Sequence, residues 1–108
     1  MAILVDPLRH YPHVPYAVKH WCHLTSDRSF EELHAFAATL GIPRTRFQGD
    51  HYDLPPWGRE RAVALGAVEV QTGELLLRMA GPRGDRARSR ASRTRATLRS
   101  PGHDADSA

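Results

Sequence analysis

Two carboxylates and an imidazole fall within four residues of the stretch Gln48-Gly49-Asp50-His51-Tyr52-Asp53, directly ahead of Leu54-Pro55-Pro56. On extended backbone the two-residue period of a strand sends His51 and Asp53 to one face and Asp50 and Tyr52 to the other. A His-x-Asp pair on one face can share a metal ion or a single proton. Asp6 ends an apolar run, and His23 and Asp27 fall at or near the end of another; ligands of open α/β sheets gather at strand ends. Read this way, His51 and Asp53 are metal ligands, Asp6 is a further ligand, His23 is a ligand or a general base, and Asp27 and Asp50 support the ligands or cap the chain. Arg61, one helical turn after Trp57, would clamp an anionic substrate. Carboxylate and imidazole donors suit Mg²⁺, Mn²⁺ or Zn²⁺, and such an ion would activate water and polarise a phosphoryl group. The chemistry implied is metal-dependent hydrolysis of a phosphoester in a nucleotide or nucleic acid.

The same residues also admit a local reading, that of a non-catalytic binding or interaction domain. Asp53 would then cap the turn before Pro55, His51 would bond a backbone carbonyl, Asp27 would cap the helix that follows it, and Asp6 the turn into Pro7. The discriminating feature is spatial: a site requires Asp6, His23, His51 and Asp53 to converge in one cleft.

The elements that would position these residues are legible in outline. Ala2-Ile3-Leu4-Val5 reads as a short strand covered on both faces. The stretch from Leu8 to Tyr16, with Pro12 and Pro15, reads as an irregular loop; its His10 and His13 are expected to be solvated. Ala17 to Leu24 reads as a second strand, with His20, Cys22 and Leu24 on one face and Trp21 and His23 on the other. Ser29-Phe30-Glu31-Glu32 has the form of a capping box. The apolar stripe Phe30, Leu33, Phe36, Ala37 and Leu40 predicts a helix over 30–40, closed by Gly41 and stopped by Pro43. Arg44 to Gln48 is expected as a third strand, followed by a helix from Pro56 or Trp57 with Ala62 and Leu65 inward. Ala67 to Val70 gives a last strand, and Glu74 to Met79 a short helix capped by Thr72. This order implies a small single-domain layered α/β fold: a mostly parallel or mixed sheet of about three or four strands, with two or three helices.

Charge divides the 108 residues into two parts. Residues 1–80 carry a net −1 and residues 81–108 a net +4, so the basic character belongs to the tail. The tail from Gly81 has no apolar residue larger than Ala before Leu98, and a segment that cannot bury apolar surface is expected to stay disordered. Its Arg86, Arg88, Arg90, Arg93 and Arg95 would bind polyanions, nucleic acid included, by counterion release. One cysteine, Cys22, leaves no intramolecular disulfide and no thiolate-rich zinc site. Apolar runs are only a few residues long, which excludes a membrane span. The absence of a basic segment before Ile3 favours the cytoplasm. A core of about eighty residues often gains from self-association, so a homo-oligomer is compatible.

Several separated blocks resemble a known family: Met1 to Pro7, Trp21 to Asp27, Glu32 to Ala37, Gly41-Ile42-Pro43, Asp50 to Pro55 and Ala64 to Val68. In order and spacing they resemble a family of short bacterial and phage proteins known as a DUF4031-type domain, over roughly residues 1–80. The resemblance implies no reaction. Its polar blocks correspond to Asp6, His23, Asp27, His51 and Asp53, and the Arg-rich tail lies outside it.

Overall fold

The computed structural model describes residues 2–107, with side chains through 96. Everything is arranged around β3 (His20–Ser26), a strand bounded by Val18-Lys19 and by the Asp27-Arg28-Ser29 turn. It pairs antiparallel with β1 (Ile3–Val5), β2 (Arg9–His10) and β4 (Tyr52–Leu54). The only parallel pairing among the described residues joins β1 to β5 (Val68–Glu69). The sheet is therefore mixed and has five strands. The strand beyond the expected number is β2, formed inside the Pro-rich stretch read as a loop. The Tyr11 N–H extends that pairing to the Lys19 carbonyl at 2.7 Å.

The helices sort to the two faces by strand alternation. Ile3, Val5, Cys22, Leu24, Tyr52 and Leu54 point toward α1 (Phe30–Thr39) and α2 (Pro56–Ala64), where they bury Leu33, Ala37 and Ala62. Leu4 points the other way, into a smaller cluster with Val70, Leu75 and Met79 built on α3 (Thr72–Arg78). No helix among the described residues is long and apolar enough to cross a membrane.

Helix α1 begins where its cap predicts. The Ser29 hydroxyl accepts from the Glu32 N–H at 3.1 Å. The reciprocal half of the box is diverted, since the Glu32 carboxylate accepts from the Ser26 hydroxyl at 2.6 Å and ties the helix to the end of β3. Gly41, at φ 75°, supplies the left-handed exit, and the Ile42 N–H reaches back to the Ala37 carbonyl.

Three local expectations are corrected. Arg44–Arg46 is a 3-10 turn rather than a strand. Arg44 and Arg46 alternating with Thr45 and Phe47 imitate a strand, but Phe47 is drawn into a ring cluster with Phe30, His34 and Tyr52 instead of a ladder. Leu65 lies just past the last turn of α2 and is half exposed, and Val63 packs on the core in its place. Thr72 sits inside the first turn of α3, two residues earlier than the expected start, and its hydroxyl is committed elsewhere, as the site shows.

In the stretch whose composition points to a disordered tail, Pro82–Ser107 is helix α4. Proline suits a first helical turn, and Ala and Arg are strong helix formers. Docking comes from small residues. Gly84 and Ala87 are buried, and Gly84 lies so close to α3 that a Cβ there would stand 1.9 Å from the Met79 carbonyl oxygen. Arg88 donates to the Leu77 and Met79 carbonyls at 2.9 and 3.0 Å, satisfying groups the end of α3 leaves open, and it also pairs with Asp85. A pattern of Gly and Ala contacts carries no apolar signature, which is why the composition pointed to disorder. The side chains from 97 onward and residue 108 lie outside the described residues.

Asp27 does not cap α1. Its carboxylate accepts from the Ala2 N–H at 2.7 Å and from Arg78 at 3.1 Å, pinning the start of β1 and the end of α3 together. Burial works to raise its pKa, but these two donors outweigh burial and hold it below the usual carboxylate value. A lowered folded-state pKa stabilises above the unfolded value of about 3.9, and this stability is lost as pH falls through the folded pKa. Asp27→Ala should therefore cost about 2 kcal/mol at pH 7, with the gap to wild type closing below about pH 4. Urea denaturation at the two pH values checks this; an equal gap at both would show that the charge is not the cause.

Candidate metal centre

The register of the sheet brings together residues far apart in sequence. His23 on β3 is paired directly with Asp53 on β4, and their neighbours Cys22–Leu54 and Leu24–Tyr52 face the core. The intervening pair must therefore project to the opposite face. His51 lies two residues before Asp53 and shares its face, as the period of two predicts, with its Nε2 at 3.3 Å from Asp53 Oδ1. The β1–β3 register, extended one residue past Val5–Leu24, sets Asp6 against His23, and the Asp6 N–H donates to the His23 carbonyl. His23, His51 and Asp53 thus share one cleft, and Asp6 stands behind His23 without lining it.

Asp6 is fully buried and behaves as a support. Its Oδ1 accepts from the His23 backbone N–H at 2.7 Å, and its Oδ2 lies 2.8 Å from His23 Nδ1 and accepts from the Thr72 hydroxyl at 2.9 Å. Burial alone would raise its pKa; the bonds from His23 and Thr72 overcome burial and lower it. An ionised Asp6 accepts from Nδ1 of His23 and leaves Nε2 as the ring nitrogen not committed to Asp6. The expectation that Asp6 is a ligand is corrected to that extent: its oxygens are spent on β3 and Thr72.

His51 repeats the arrangement. Its Nδ1 lies 2.8 Å from Asp50 Oδ1, and Asp50 is held in turn by Arg83 of α4 at 2.9 Å. Asp50 was expected to point away with Tyr52. It does not, because the chain between Gln48 and His51 is a tight loop rather than strand, with Gly49 at φ 88°, the Gln48 N–H donating to the His51 carbonyl, and the Thr25 hydroxyl donating to the Asp50 carbonyl. Burial opposes charge on the His51 ring, but the bonds to Asp53 and Asp50 prevail and raise its pKa. Its two ring nitrogens face carboxylates rather than the backbone carbonyl of the local reading.

His23, His51 and Asp53 each offer one ligand atom, and the three atoms lie within 4.8 Å of one another. The two imidazole rings meet edge to face, 5.1 Å between centroids. Their side chains are 30% and 16% exposed and that of Asp53 is 42%, so the group opens to solvent on the Asp53 side. It lines a cleft of about 260 Å³ together with Tyr11, Val14, Tyr16, Trp21, Arg46 and Gln48.

Other candidates are left outside. Arg61 is exposed on α2 and does not line the cleft; the arginine that does is Arg46, on the 3-10 turn. Arg59, from the inner turn of α2, donates to the Asp6 carbonyl at 2.8 Å. His10 stacks on His20, and neither His10 nor His13 lines the cleft. Cys22 faces the core, where burial and then the nearby Asp6 charge push its thiol up to about 12, so it stays protonated. Sequence reasoning missed Arg46, Trp21 and Tyr16 as cleft residues. A two-residue spacing of Trp21 and His23 on one strand was the available signal.

No curated protein and no solved structure matches the chain. The family model described as "Protein of unknown function (DUF4031)" matches residues 3–81, a span that holds every cleft residue and ends as α4 begins. The chain belongs to the DUF4031 family.

Proposed function

We propose that His23, His51 and Asp53 hold a divalent metal ion, and that the centre hydrolyses a phosphoester. The observation that carries this reading is the carboxylate behind each histidine. Asp6 and Asp50 hold the Nδ1 side of His23 and His51, the arrangement by which proteins fix the tautomer of metal-bound imidazoles and strengthen their donation. Two imidazoles and one carboxylate favour Zn²⁺ or another first-row ion over Mg²⁺, and three protein ligands leave a position for water. The ion would lower the pKa of that water and polarise the phosphoryl oxygen. Arg46 and Gln48 supply a cation and donors for the phosphoryl group on the cleft wall. The new bond joins the water oxygen to phosphorus, the ester P–O bond breaks, and the water's proton leaves on the departing oxygen.

The test is turnover of bis(p-nitrophenyl) phosphate by chelator-stripped protein supplied with Zn²⁺ or Mn²⁺. The expected result is metal-dependent release of nitrophenolate, reduced at least a hundredfold in His23→Ala. Release that is equal with and without metal, or equal in the variant, overturns the hydrolytic reading.

A further inference from the structure

The metal cleft shares lining residues with a second depression, formed where α4 meets the loop before β4. Gln48 and His51 line both; the second adds Gly49, Asp50, Pro82, Arg83 and Arg86. From there α4 carries a stripe of arginine away from the site. Arg83, Arg86, Arg90 and Arg93 are spaced by three, four and three residues, which at 100° per residue keeps them within an arc of about 80°. Gly84 and Ala87, buried against the body of the protein, flank the stripe at about 100° and 40° round the helix from Arg83. Arg83 is held by Asp50, but the guanidinium groups of Arg86, Arg90 and Arg93 make no hydrogen bond or ion pair among the described residues and are exposed. Arg88, in contrast, is spent on Leu77, Met79 and Asp85.

Rings also line the cleft. Tyr16 is 56% exposed and meets Trp21 edge on, 5.8 Å between centroids. The Trp21 indole is fixed by its Nε1–H donating to the Val18 carbonyl at 3.1 Å. Fixed, open rings beside a cationic track are what single-stranded nucleic acid requires, because any base can stack while the backbone follows the charge.

Building on the metal-centre reading, we infer that the substrate is single-stranded nucleic acid, with one base against Trp21 and Tyr16, its phosphate at the His23–His51–Asp53 group, and the flanking backbone along Arg83, Arg86, Arg90 and Arg93. The stripe is about 15 Å long, enough for about four nucleotides of a stacked strand. Arg88 plays no part in it, and Arg95, which falls on a different face of α4, plays none either.

The experiment is fluorescence anisotropy of a labelled mixed-sequence 12-nucleotide single-stranded DNA with the full chain in EDTA, over a range of salt. Leaving metal out separates this test from that of the metal centre: a protein that fails to take up metal would still show the strand binding described here. Changing Arg86, Arg90 and Arg93 together to Ala should weaken binding at least tenfold and flatten the log–log salt slope by about 2. The matching triple change to Lys should keep the slope. Trp21→Ala should weaken oligonucleotide binding by about tenfold while leaving dextran sulfate binding unchanged. An unchanged slope in the alanine triple overturns the backbone track, and an equal loss of dextran sulfate binding in Trp21→Ala overturns the base-stacking wall.

Discussion

His51→Ala should lower zinc affinity by about a hundredfold or more, as measured by competition with a chromophoric chelator at pH 7. A bound zinc contributes roughly 10–16 kcal/mol in small sites, shared among few ligands, so losing one imidazole removes several kcal/mol. Asp6→Asn and Asp50→Asn should have a smaller effect, about 10- to 100-fold, because they orient the imidazoles without touching the ion. The two substitutions differ in what else they disturb. Asp6 is buried and accepts from the His23 backbone, the His23 ring and Thr72, so Asp6→Asn also weakens the β1–β3 junction. Asp50 is partly exposed and its loss releases Arg83, so Asp50→Asn should leave the fold intact. Affinity unchanged in His51→Ala would remove that residue from the site.

Tyr52→Ala should cost about 3–5 kcal/mol, the range for truncating a large buried aromatic side chain. Tyr52 is wholly buried and stands between the two residues that the metal reading needs from this segment, His51 and Asp53. Its ring packs against His34 and Phe47, and its hydroxyl bonds His34 Nδ1 at 2.7 Å. Burial raises the pKa of that hydroxyl and lowers that of His34, so the pair is held neutral. In a domain whose whole stability is of the order of 5–15 kcal/mol, the alanine variant should unfold at a much lower urea concentration. Tyr52→Phe, which loses only the hydroxyl, should cost about 1 kcal/mol. A loss below 1 kcal/mol in Tyr52→Ala would contradict the role given to β4 as a strand anchored from beneath.

Strand and helix periodicity carried much of this architecture. The stripe from Phe30 to Leu40 and its Ser29 and Gly41 boundaries are local chemistry, and α1 occupies that span. The shared face of His51 and Asp53 follows from two-residue alternation alone. The partnership of His23 with Asp53 depends instead on which strand lies beside which, and no local pattern reveals a pairing across thirty residues of chain. For the same reason Asp6 read as a ligand when it supports His23, and Asp50 read as pointing away when Gly49 turns it inward. Arg46 was hidden because its segment resembles a strand, and Arg61 was favoured because it follows an apparent helix start; neither position reports what lies across the cleft. Helix α4 is a case that composition does not reveal. Its contacts are made by Gly84, Ala87 and the carbonyls that Arg88 reaches, groups to which a hydropathy pattern gives no weight.

X-ray absorption spectroscopy of the zinc-loaded wild-type chain tests the central claim most directly. The account predicts one zinc per chain with a nitrogen and oxygen shell at about 2.0–2.2 Å, no sulfur at about 2.3 Å, and the multiple-scattering signature of two imidazoles. A spectrum with one imidazole or none, or with a sulfur ligand from Cys22, would contradict it.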